Sequence, residues 1–152
     1  MTLEGGCACG VVRYQLNNSP IFVQACHCTD CQKITGSAFV VNAWIEQSEV
    51  KILSGETKSH QLTGGSGTPN DVHFCADCGT YLWTNYQGAA GCLFVRVGTL
   101  DDPSALPPGA NIFTKSAQAW LPLSDELPRF DEFYNPAEFL PAESLARLGA
   151  LR

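Results

Sequence analysis

Seven of the eight cysteines in this 152-residue chain fall into three tight clusters, Cys7-x-Cys9-Gly10, Cys26-His27-Cys28-x-x-Cys31 and Cys75-x-x-Cys78-Gly79. Thiols so spaced are either disulfide partners or metal ligands. Dense disulfides belong to short secreted domains that cannot build a core. A chain of this length with 45% hydrophobic residues can bury a core. Its first seven residues, Met1 to Cys7, carry neither a basic region nor an apolar stretch, so no export signal is expected. In a reducing, cytoplasmic setting the cysteines stay free as thiolates, soft ligands that favour zinc over the rarer iron-sulfur cluster.

Other classes are excluded quickly. No run approaches the ~18 to 20 apolar residues of a membrane span. The formal charge is -6, and the nine Lys and Arg residues are scattered without a basic stripe, so nucleic acid is not expected as a partner. An anionic small molecule would need local cations, for which Lys33 and Lys115 are candidates.

Strand-like stretches dominate. Residues 11–16, 21–26, 38–45, 50–53, 72–75, 80–86 and 93–97 are rich in β-branched and aromatic side chains. In the first, Val12, Tyr14 and Leu16 alternate with Arg13 and Gln15, the pattern of a sheet with one buried face. Residues 17–20, Ser54-Gly55 and 64–70 read as turns or loops, the last a mobile one. A helical turn is expected over 29–34, and Asp101-Asp102-Pro103 resembles a helix start with capping aspartates. The reading is a mostly β domain over residues 1–135 and a tail, 136–152, in which 141–151 can form a short helix with Leu145 and Leu148 on one face.

The metal arithmetic is two plus two plus three. Cys7 and Cys9, like Cys75 and Cys78, form a knuckle, and Gly10 and Gly79 permit the sharp turn that brings two sulfurs to one ion. These four would make a closed structural zinc site joining distant parts of the chain. Cys26 and Cys28 point to one side of an extended segment, and a following turn brings Cys31 round. Three sulfurs leave one position open for water or a substrate thiol, unless His60, His73 or Cys92 closes it. His27 should point away from the ligands beside it and serve a supporting or surface role; Cys92 reads as a small buried hydrophobe, and His73 alternates with Cys75 and can border the structural site.

These segments, together with Gly36-Ser37-Ala38-Phe39, Phe74-Cys75, Gly98-Thr99-Leu100-Asp101-Asp102-Pro103, Ile112-Phe113 and Trp120, resemble the glutathione-dependent formaldehyde-activating enzyme family, which includes centromere protein V. The resemblance covers roughly residues 4 to 133. It implies tent-like packed β-sheets with a zinc-ribbon-like element, two zinc ions per chain, a structural site at Cys7, Cys9, Cys75 and Cys78, and a catalytic site at Cys26, Cys28 and Cys31. It also implies a carbon-sulfur lyase acting on a thiol or its aldehyde adduct, such as S-hydroxymethylglutathione. Many relatives carry His where this chain has Asn111. Lys33 and Ser37 are the expected substrate contacts. The alternative is a non-catalytic zinc-binding module presenting a β surface to a protein partner.

Overall fold

The computed structural model describes residues 2–65 and 67–151. Met1, Arg152 and Ser66, which falls in the expected 64–70 loop, lie outside the described residues. Among the described residues the strands are β1 (Leu3–Gly6), β2 (Arg13–Leu16), β3 (Phe22–Cys26), β4 (Val40–Glu46), β5 (Val50–Ser54), β6 (Thr57–Thr63), β7 (Pro69–Cys75), β8 (Tyr81–Tyr86), β9 (Cys92–Arg96) and β10 (Asn111–Ile112). The helices are α1 (Thr29–Thr35), α2 (Pro136–Phe139) and α3 (Ala142–Gly149), with short 3-10 turns between strands.

Two sheets result. The smaller has the order β1-β2-β5, the larger β10-β3-β4-β9-β8-β7-β6. All pairings are antiparallel except β10 against β3, which is parallel. Alternation in β2 is realised as read, with Val12, Tyr14 and Leu16 fully buried. Together with Val23, Ala43, Ile45 and Val95 they form the core between the sheets.

Three strands, β1, β6 and β10, carry no clear sequence signal, each for a separate reason. β1 ends in Gly5 and Gly6, which carry no pattern; a Cβ on Gly5 would come within 2.5 Å of the Thr99 carbonyl oxygen, so bare backbone is required there. β6 is a polar strand at the edge of the larger sheet and buries neither face. β10 has only two residues.

Strand β4 is buried on both faces, as a central strand must be. Ala43 and Ile45 enter the first core, while Trp44 packs with Phe94 and Ile112 in a second cluster on the opposite face. The C-terminal segment covers that second face. α3 supplies Leu145 and Leu148, α2 places Phe139 against Phe22 and Phe130, and the buried Ser144 hydroxyl donates to the Ile21 carbonyl at 2.7 Å. Arg147 donates twice to the Glu46 carboxylate, clamping the tail to β4. The cap expectation also holds at Asp102, whose carboxylate accepts from the Ser104 amide. No helix among the described residues is long and apolar enough to cross a membrane.

Candidate functional site

All eight cysteines are free thiols. Two groups converge: Cys7, Cys9, Cys75 and Cys78 in one, Cys26, Cys28 and Cys31 in the other, with the sulfurs of each group within 4.8 Å of one another.

The first group is built by two turns of different length, each closed by a glycine amide. The Gly10 amide donates to the Cys7 carbonyl at 3.0 Å, and the Gly79 amide donates to the Cys75 carbonyl at 2.9 Å. Both glycines have positive φ, 80° and 74°. The turn frees the Val12 amide to donate to the Cys7 sulfur at 3.2 Å, as thiolate ligands require. The Ala8 amide donates to the Thr80 hydroxyl, which leaves that hydroxyl's own proton for the Cys78 sulfur at 3.1 Å. This contact, with nearby amides, lowers the Cys78 thiol to about 6. Tetrahedral zinc with bonds of about 2.3 Å sets its sulfurs about 3.8 Å apart. The Cys9 sulfur lies 3.4 Å from that of Cys7 and 3.8 Å from that of Cys75, so the donor set fits such an ion.

In the second group, β3 delivers Cys26 to the second core face, and Cys28 becomes the N-cap of α1, its sulfur accepting from the Cys31 amide at 3.3 Å. The helix then carries Cys31 inward. It ends at Gly36, whose positive φ of 64° permits the C-cap and whose amide donates to the Gln32 carbonyl. Cys26 and Cys31 are buried, Cys28 half-buried. Hydrogen bonds from Cys26 and Cys31, with the Cys31 and Asp30 amides, hold the Cys28 thiol far below its usual range, at about 3, so it is the preferred thiolate of the three. A compact trithiol set with one member so biased fits a soft divalent ion. No fourth His, Cys, Asp or Glu among the described residues joins it within that reach.

Cys26 and Cys28 line a cavity of about 570 Å³. Its walls include Gln24, Asn42, Tyr86 and Phe94 from the sheet, and its rim carries Asp30, Lys115 and Glu132. Parallel pairing of β10 with β3 sets residues 113–116 beside the cysteines. Phe113 sits there in the left-handed region, at φ 55°, the one non-glycine residue to do so among the described residues. Its amide donates to the Glu132 carbonyl and the Thr114 amide to the Phe130 carbonyl, so the strained wall is laced to the following segment. Lys115 forms an ion pair with Glu132.

Lys33 and Ser37 do not line this cavity. They border a shallower groove with Gln32, Gln118 and Trp120, and Lys33 also edges a small recess beside Asp30. His27 does point away from the flanking sulfurs, but into the interior: its Nε2 is 2.9 Å from the Asn111 Oδ1 and its ring lies 5.2 Å from that of Phe39. Asn111 thus anchors His27. Cys92 is buried, with its thiol raised chiefly by that burial, and belongs to neither cluster. His60 is exposed on β6, and His73 stacks on Trp83; neither reaches the three cysteines.

Sequence reading missed the polar floor of the cavity. The Tyr134 hydroxyl donates to Gln24 at 2.6 Å, and Asn42 accepts from the guanidinium of Arg96. Gln24, Asn42 and Arg96 are isolated polar residues within apolar strands, which is the one signal that could have singled them out.

Three comparisons bear on this arrangement. A Halomonas elongata protein, provisionally designated a glutathione-dependent formaldehyde-activating enzyme, is 31% identical over 87 residues, 55% of either chain. The chain thus spans about half the length of the curated relative it matches. A crystal structure of a Rhodobacter sphaeroides protein superposes with a TM-score of 0.52 at 22% identity, covering 68% of this chain and 94% of that one, a likeness of fold. The profile of the glutathione-dependent formaldehyde-activating enzymes matches residues 2–116, well over half of the sequence, and the chain therefore belongs to that family.

Proposed function

We propose that this protein catalyses reversible addition of a small thiol, glutathione or a close relative, to formaldehyde in a reducing cytoplasmic compartment. The observation that carries the reading is the three-cysteine set with a half-buried member opening onto a ligand-sized cavity, in a chain of this family. Cys26, Cys28 and Cys31 would hold one zinc ion, and Cys7, Cys9, Cys75 and Cys78 a second, structural one. Held by Cys26, Cys28 and Cys31, such an ion would favour the thiolate, nucleophilic form of an incoming sulfur.

The chain's own groups account for the rest. In the forward direction the sulfur-carbon bond forms, the carbonyl π pair moves to oxygen, and that oxygen takes the proton the thiol gave up. Asn42 and Gln24 offer polar contacts to that oxygen from the cavity floor. One cation, Lys115, and two carboxylates, Glu132 and Asp30, stand at the rim and offer a partner to either charge of a zwitterionic peptide. Phe94, Phe113 and Phe133 close the walls and limit water. Lys33 and Ser37 remain candidates for the distal part of a larger substrate.

The test is exchange of formaldehyde with glutathione, measured above the spontaneous rate. Glutathione should perturb the metal coordination, whereas S-methylglutathione should bind much more weakly. Equal binding of the two would refute direct engagement of the thiol, and no acceleration would return the chain to the binding-module alternative.

A further inference from the structure

Arg96 is 4% exposed, yet among the described residues no carboxylate pairs with it. One guanidinium nitrogen donates to Asn42; Nε and the other terminal nitrogen meet no acceptor. A buried guanidinium without an anion is strongly unfavourable unless something charged compensates it. Strand register shows where the guanidinium lies. Gln24 opposes Asn42, and Asn42 opposes Arg96, so the three form one row across β3, β4 and β9. Cys26 is two residues beyond Gln24 on the same face, and α1 lays Cys31 over that face. Gln24 and Asn42 line the cavity onto which Cys26 and Cys28 open, so the row runs from the buried guanidinium to the cysteine centre.

We propose that Arg96 is the buried counter-charge of the three-cysteine centre, a positioning residue that sustains its affinity for a divalent metal. The inference rests on the reading that Cys26, Cys28 and Cys31 hold such a metal. Three thiolates with a divalent ion leave one negative charge in a low-dielectric interior, and one guanidinium neutralises it. No solvent-exposed lysine could do this, because screening would weaken it. The four-cysteine site has two exposed sulfurs and can shed its excess charge to water.

The experiment is zinc competition against a chromophoric chelator for wild type, Arg96→Met, Arg96→Lys and Cys28→Ser. Arg96→Met keeps an unbranched apolar stem and removes the charge. It should weaken the looser of the two zinc ions by about 10 to 100-fold, the cost typical of losing a group that supports metal ligands, and leave the tighter one unchanged. Arg96→Lys should retain most of the affinity. Wild-type affinity in Arg96→Met, or equal weakening in Arg96→Lys, overturns the proposal. Thermal unfolding gives a second reading that does not depend on affinity. Arg96→Met should lower the melting temperature more in the wild-type background than in Cys28→Ser, where the centre is already broken; equal losses mean simple packing and overturn it. If Cys28→Ser keeps both zinc ions, the metal reading itself fails and this inference falls with it; loss of one ion there, with Arg96→Met unaffected, refutes Arg96 alone.

Discussion

The two cysteine centres should respond unequally to loss of a ligand, and the structure sets the size of the difference. Replace Cys78 by Ser in one variant and Cys28 by Ser in another. A metal stabilises the native state only by as much as it prefers it over the unfolded chain. Cys26, Cys28 and Cys31 lie within six residues, so the unfolded chain can gather them at little entropic cost. Cys9 and Cys75, whose sulfurs are 3.8 Å apart, are separated by 66 residues. Closing the longer loop rather than one of about five residues costs about 2 kcal/mol more by the (3/2)RT ln n relation. That advantage belongs to the folded protein and disappears with Cys78. For a chain of this size, each kcal/mol moves the midpoint by about 2–4 °C, so Cys78→Ser should melt about 4–8 °C below Cys28→Ser. Differential scanning calorimetry with parallel zinc analysis measures both quantities, and each variant should lack one zinc equivalent. Equal melting temperatures, or a larger loss in Cys28→Ser, would refute the loop-closure argument and mark both centres as equally structural.

Other outcomes follow from single contacts. Burial tends to raise the Glu46 carboxyl, but the hydrogen bonds and charge of Arg147 outweigh it, so its pKa lies below the ordinary value. The clamp is therefore intact above the unfolded carboxylate pKa and is lost as pH falls through the lower, folded one; Glu46→Gln should cost about 1–2 kcal/mol at pH 7 and nothing in strong acid, read by thermal melts across pH. Tyr134→Phe leaves the buried Gln24 oxygen without its donor and should cost about 1–2 kcal/mol in denaturant unfolding, with a raised KM for the thiol because Gln24 lines the cavity. Gly55→Ala should destabilise by about 1–3 kcal/mol in the same assay, since φ is +72° and the new Cβ would lie 2.4 Å from the Val11 carbonyl oxygen.

What the sequence by itself determined was the chemistry that spacing enforces. Cys7-x-Cys9-Gly10 and Cys75-x-x-Cys78-Gly79 need only local turns to present paired sulfurs, and Cys26, Cys28 and Cys31 are adjacent enough that one strand and one helical turn gather them. Alternation in residues 11–16 likewise foretold the buried face of β2, because a period of two is a property of the backbone. Tertiary structure decided the rest. That the two knuckles meet, that residues 113–116 stand beside Cys26, and that Lys115 reaches the cavity while Lys33 and Ser37 do not, all depend on strand order and on one short parallel pairing with no periodic signature. Gln24, Asn42 and Arg96 are 72 residues apart at the extremes and become one polar row only when β3, β4 and β9 align. Local spacing fixes what a few neighbouring residues can bind. Which distant polar groups are buried against them is set by packing, where desolvation makes each one costly unless a partner from another strand answers it.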